Sequence, residues 1–116
     1  MAVIGFGTMG TGIAQTLVQT GYEVIARDIA GDLLKRGLEI IKNGPFGLTR
    51  AIEKGRITKE QAEATMSRLT VTVDLVEAVK DADFVIEAII EKLDAKRRLF
   101  TEVDASAPKY TIIVSN

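Results

Sequence analysis

Directly behind a short apolar run, the stretch VIGFGTMGTGIA sets glycines at positions 5, 7, 10 and 12. Glycine lacks a Cβ, adopts positive φ freely and lets other atoms approach the main chain, yet it weakens a regular element by roughly 0.5–1 kcal/mol relative to alanine. A chain that carries so many needs a sharp bend, a close approach, or both. The spacing Gly5-x-Gly7-x-x-Gly10 is that of a strand-to-helix turn able to receive a dinucleotide. Gly5 would permit the bend, Gly7 would admit a pyrophosphate to the backbone, and Gly10 would let the helix lie close to the strand. A glycine-rich hairpin or loop satisfies the same spacing, so the flanking sequence has to decide.

Residues 2–6, AVIGF, form an apolar run without alternation, the pattern of a strand buried on both faces of a parallel sheet. From Met9 the pattern turns helical, with Met9, Ile13 and Leu17 on one face, Ala14 and Val18 beside them, and Gly21 as a C-terminal stop. YEVIARD, residues 22–28, reads as a second strand because it is rich in β-branched and aromatic residues. It ends in Asp28, 21 positions beyond Gly7, where an acidic residue accepts hydrogen bonds from the adenosine ribose hydroxyls. Two independent features thus favour the dinucleotide turn over the loop.

A third strand does not follow at once. Leu34, Leu38 and Ile41 make a helical stripe that stops at NGP, and Phe46, Leu48 and Ile52 continue in a short helix ending at Gly55. Thr58 and Gln61 have the spacing of a capping box, with Ile57 able to staple against Ala62, so a helix is expected over residues 59–68 with Ala62, Met66 and Leu69 inward. LTVTV (69–73) is the expected third strand, Asp74 and Glu77 a second box, ADFVIEAII (82–90) a central fourth strand, residues 94–107 a helix stopped by Pro108, and YTIIVSN the fifth strand. The predicted fold class is α/β: a Rossmann-type, doubly wound parallel sheet with a helical excursion between the second and third strands. Ligands in such sheets bind at the carboxyl ends of the strands, where the glycine turn, Asp28, residues 88–91, Ser115 and Asn116 would all collect.

Composition narrows the function. A net charge of -1 gives no electrostatic case for nucleic acid or an acidic membrane surface. Without cysteine there is neither a disulfide framework nor a thiolate metal site, and no metal is expected. No apolar run approaches the roughly 20 residues that span a bilayer, and no basic region precedes the first apolar stretch. A cytoplasmic location is the expectation. The chain has no histidine, the side chain most often used to move protons near neutral pH, so acid–base chemistry would need another residue or another segment.

Taken together, VIGFGTMGTGIAQ, Asp28, KGRITKEQAEATMSRL, ADFVIEAIIEKLDAKRRLFTEVD and the final SN resemble the NAD-binding domain of the 3-hydroxyacyl-CoA dehydrogenase family, which includes 3-hydroxybutyryl-CoA dehydrogenases. The resemblance runs through the whole chain and implies NAD as cofactor. It implies that the turn residues Gly5, Phe6, Gly7, Thr8, Met9 and Gly10 hold the pyrophosphate, and that Asp28 binds the adenosine ribose and disfavours a 2′-phosphate. Arg27 beside it could attract that phosphate but reads more simply as a solvated strand-end charge. The resemblance also implies that Ala88, Ile89, Glu91 and Lys96 line the nicotinamide half, and that Ser115 and Asn116 lie on the substrate side. Glu87, inside an apolar strand, needs a hydrogen-bonding partner because an unpaired buried carboxylate is costly.

Residues 1–116 are therefore expected to be the NAD-binding domain alone, since the family's catalytic histidine, its partner glutamate and the helical domain that shapes the acyl-CoA pocket and the homodimer lie beyond Asn116. The implied reaction is hydride transfer between NAD and C3 of an L-3-hydroxyacyl-CoA in fatty acid metabolism, with the isolated chain inactive. Two alternatives stay open: a regulatory NAD-sensing module, which the long excursion opposes, and an NADP-linked β-hydroxyacid dehydrogenase domain, which Asp28 opposes.

Overall fold

The computed structural model describes residues 1–89, 93–108 and 112–115. Along the chain they form β1 (Ala2–Ile4), α1 (Thr8–Thr20), β2 (Val24–Arg27), α2 (Gly31–Asn43), α3 (Leu48–Glu53), α4 (Lys59–Ser67), β3 (Leu69–Thr72), α5 (Leu75–Val79), β4 (Phe84–Glu87), α6 (Leu93–Ser106) and β5 (Ile112–Ser115). The five strands pair in the order β3-β2-β1-β4-β5, with every neighbouring pair parallel. This is the doubly wound arrangement expected from sequence, and the helical excursion between the second and third strands is α2, α3 and α4. The order of winding reverses between β1 and β4, the crevice where such sheets bind ligands.

Strand periodicity divides the core. Val3, Val24 and Ala26 face the layer built from α1 to α4, where Ala14, Val18, Leu34, Ile41, Leu48 and Ala62 are buried with them. Ala2, Ile4 and Val85 face the opposite way, onto Leu75, Ala78, Val79, Leu99 and Val103 of α5 and α6. Each of the larger side chains stabilises the fold by roughly 1.5–3 kcal/mol through its removal from water. A one-residue slip of β1 would exchange the two faces, so this division also fixes the register Ala2↔Ile25 and Ala2↔Val85.

Three local expectations change. The inward stripe of α1 is Gly10, Thr11, Ala14 and Val18, while Met9 is 51% exposed. Helix α1 packs against β1 along its glycine-bearing side, so the bulkier Met9 is turned away. Phe46 does not join a helix; it precedes α3 and is 90% exposed. The box at Thr58 is complete, with the Gln61 amide donating to Thr58 Oγ1 at 3.1 Å and the Thr58 amide to Gln61 Oε1 at 2.8 Å. The second box is only half formed. Asp74 accepts from the Val76 and Glu77 amides, but its own N–H donates to Thr72 Oγ1 at 3.0 Å rather than to Glu77.

Candidate functional site

The link from β1 to α1 turns on Gly5. Its φ of 100° lies in the left-handed region, and a Cβ there would stand 2.9 Å from Ile89 Cγ2 and 3.0 Å from the Ala88 carbonyl carbon. Conformation and crowding both demand glycine. The Gly5 amide donates to the Arg27 carbonyl and the Ala88 amide to the Ile4 carbonyl, each at 2.8 Å, so the ends of β2, β1 and β4 are locked together at the bend. Gly10 meets the same crowding from above, where a Cβ would overlap the Gly5 carbonyl. Thr11, 1% exposed, closes the turn by donating its hydroxyl to the Phe6 carbonyl at 3.0 Å.

Gly7 is different. Its φ of -78° suits any residue, and a Cβ built on it would meet nothing within 4 Å. The protein's own packing gives no reason for glycine at this position. An anion brought against the backbone gives one. Gly7 is the N-cap of α1, whose first turn has no side-chain cap and no acidic residue, so nothing within the helix offsets the partial positive charge of its end. Phosphate groups are the usual complement of such an end.

Asp28 faces this bend. Its Oδ2 accepts from the Phe6 amide at 2.8 Å and its Oδ1 from the Ile29 amide at 2.7 Å. A carboxylate offers about four acceptor sites, so both oxygens keep capacity for ribose hydroxyls. The Phe6 amide, expected among the pyrophosphate donors, is instead taken up by Asp28. The Phe6 side chain is 2% exposed and lies against Gly37 of α2, where a Cβ would collide with its ring. Phe6 therefore holds the turn to the helical excursion.

Beside the bend is a cavity of about 290 Å³ lined by Gly5, Arg27, Asp28, Ile29, Ile89, Arg98, Leu99 and Glu102. Ile89 was expected at the nicotinamide half, yet here it shares this cavity with Asp28. Sequence reasoning missed Ile29, 72% exposed, and the α6 residues Arg98 and Glu102. Ile29 was signalled by its place directly after the strand-end acid, and the other two by their i, i+4 spacing on one helical face. A separate cavity of about 330 Å³ among α1, α3 and α4 is lined by Gln19, Leu48, Ile57 and Arg68 and does not reach the bend.

Glu87 is 1% exposed, and its Oε2 accepts from the Ile89 amide at 2.8 Å, the partner near the cleft that its sequence context required. Arg27 is half-buried rather than freely solvated, with its Nε donating to the Val73 carbonyl at 3.2 Å. Glu91 and Asn116 lie outside the described residues. Of Lys96 and Ser115 only the backbone is described, Lys96 within α6 and Ser115 opposite Glu87 in the β4–β5 register. No helix among the described residues is long and apolar enough to cross a membrane.

The family model described as 3-hydroxyacyl-CoA dehydrogenase, NAD binding domain, matches residues 1–116. The chain is 38% identical over 114 residues to a probable 3-hydroxybutyryl-CoA dehydrogenase of Bacillus subtilis, covering 98% of this chain and 38% of that protein. It is 36% identical to a glyoxysomal fatty acid beta-oxidation multifunctional protein of Brassica napus, covering 100% of this chain and 15% of the relative. Among solved structures, a 3-hydroxybutyryl-CoA dehydrogenase from Escherichia coli K12 superposes with a TM-score of 0.91 at 36% identity, over 99% of this chain and 24% of that one. The chain thus spans between 15% and 38% of the length of these relatives.

Proposed function

The chain belongs to the 3-hydroxyacyl-CoA dehydrogenase NAD-binding domain family, and from that membership we propose that it is the cofactor-binding part of an NAD-dependent dehydrogenase acting on L-3-hydroxyacyl-CoA. The observation that carries this reading is the pairing of an open, uncapped glycine turn with the Asp28 carboxylate beside it at the crevice between β1 and β4.

Bound NAD supplies a hydride acceptor for the carbon bearing the substrate hydroxyl. The residues of this chain bind and orient it. The backbone from Gly7 to Gly10 receives the pyrophosphate, and Gly5 and Gly10 keep β1 and α1 close enough for that segment to be presented as a rigid arc. Asp28 accepts from the ribose hydroxyls while its bonds to the Phe6 and Ile29 amides hold the carboxylate in place. Ile29 and Ile89 offer apolar walls to the adenine. Ala88, Glu91 and Lys96 serve the nicotinamide half, and Ser115 with Asn116 the substrate side. The proton acceptor is not a histidine of these 116 residues, because they contain none; it comes from the remainder of a longer protein that supplies the acyl-CoA pocket and pairs as a homodimer. The Brassica napus relative is a glyoxysomal fatty acid beta-oxidation multifunctional protein; for this protein we place hydroxyacyl-CoA chemistry of the same family in the cytoplasm.

Calorimetric titration with NADH tests the reading. Saturable binding is expected, weakened at least tenfold in Asp28→Ala, which removes a charge-assisted acceptor worth about 1.5–3 kcal/mol. The 116 residues alone should bind NADH without oxidising 3-hydroxybutyryl-CoA. Absence of heat with NADH at millimolar levels would refute the proposal.

A further inference from the structure

Among the described residues Glu87 is the only charged side chain that is fully buried. It ends β4, and by strand alternation it faces with Val85 onto the α5–α6 layer, beside the buried apolar Ala2 and Ile4 of β1. A carboxylate there carries a desolvation cost that an apolar residue of the same size would avoid. What the carboxylate does is reach forward along its own chain. The Ala88 amide is bonded to the Ile4 carbonyl at 2.8 Å, and the next amide, that of Ile89, donates to Glu87 Oε2 at 2.8 Å. Two successive residues are thereby fixed as the chain leaves β4. Ile89, held in this way, lies over Gly5, where a Cβ would stand 2.9 Å from its Cγ2, and lines the cavity that Asp28 also lines.

We propose that Glu87 is a positioning residue for the cofactor: its carboxylate fixes Ile89, and Ile89 so fixed is a preformed apolar wall of the nucleotide cavity. This deepens the reading of that cavity as part of a cofactor site and rests on it. Glu87 is 1% exposed, so it acts from behind the wall and not on the ligand. Without the bond, residue 89 would have the freedom of a strand-end segment, and the ligand would have to order it on binding, at a cost in affinity. With the bond, that ordering is complete before the ligand arrives. An amide oxygen of the same reach would serve the same N–H, so the role requires an acceptor at this place rather than a negative charge.

The test is calorimetric titration of the whole protein with NADH and 5′-ADP. Glu87→Met fills similar space without an acceptor for the amide and should weaken both ligands about tenfold, whereas Glu87→Gln should stay within about threefold of the original. Ile89→Ala should weaken them by a factor similar to that of the methionine variant. A purely structural Glu87 would affect binding independently of residue 89, so the double variant decides. With Ile89→Ala already present, Glu87→Met should add no further loss, because the two residues act as a unit. Losses that multiply would overturn the inference, as would a methionine variant that binds like the original or a glutamine variant as weak as the methionine one. Should the methionine variant fail to fold, amide hydrogen exchange in the original protein decides instead: the Ile89 N–H should be protected before any nucleotide is added. An Ile89 amide that exchanges freely until NADH binds would overturn the inference. Each of these results leaves the proposed function standing, whereas failure of the original protein to bind NADH would overturn both.

Discussion

Gly7 and Gly10 are three residues apart in one motif, yet a Cβ at Gly7 would meet open space and one at Gly10 would meet backbone, a difference that alanine substitution tests. At Gly10 a methyl group would overlap the Gly5 carbonyl, and neither partner can yield, since both are backbone in the locked turn. Forcing an extra methyl into a packed site costs about 1–3 kcal/mol, and backbone on both sides puts this case near the upper end. Exchanging glycine for alanine inside a helix returns about 1 kcal/mol of propensity. The net loss for Gly10→Ala is thus about 2 kcal/mol, or roughly 8 °C in melting temperature for a domain of this size. Gly7→Ala meets nothing within 4 Å and has an allowed φ of -78°, so it should leave stability unchanged or raise it by about 0.4–1 kcal/mol through the unfolded chain. Its effect should appear on NADH, because a methyl between the anion and the turn removes at least one charge-assisted hydrogen bond, about 1.5–3 kcal/mol or roughly 10- to 100-fold in Kd. Urea denaturation followed by far-ultraviolet circular dichroism, with NADH calorimetry on the same samples, reads both quantities. A Gly7→Ala protein that binds NADH as tightly as the original would refute the argument that Gly7 is kept for a ligand. A Gly10→Ala protein of unaltered stability would refute the packing argument.

Two further substitutions probe the frame around the site. Thr58→Ala opens a complete capping box and should cost about 1 kcal/mol in a denaturation midpoint without altering NADH affinity; an unchanged midpoint would show that α4 is held by its packing alone. Glu87→Ala removes a 1% exposed side chain that accepts from the Ile89 amide, and the stranded donor together with the cavity should cost about 2–4 kcal/mol. A loss below about 0.5 kcal/mol in the same urea assay would mean that water replaces the carboxylate at no cost.

The sequence by itself determined what depends on neighbours along the chain. Glycine spacing, the apolar runs of the strands, the Thr58–Gln61 box and the strand-end acid are each local patterns, and together they were enough for the α/β class, the strand succession and the turn–acid pair. Periodicity was a weaker guide where two faces compete: Met9 fits the helical stripe of α1, but the close approach of that helix to β1 through Gly10 turns Met9 outward. Tertiary structure alone decided which backbone groups are already taken and which side chains meet. The Phe6 amide is claimed by Asp28 across 22 positions of sequence, Gly37 makes room for the Phe6 ring, and Arg98 of α6 reaches the cavity that Arg27 and Asp28 line from β2. Such contacts come from the pairing of strands and the docking of helices onto the sheet, and no periodicity in the chain encodes the distance between residues that only the assembled sheet brings together.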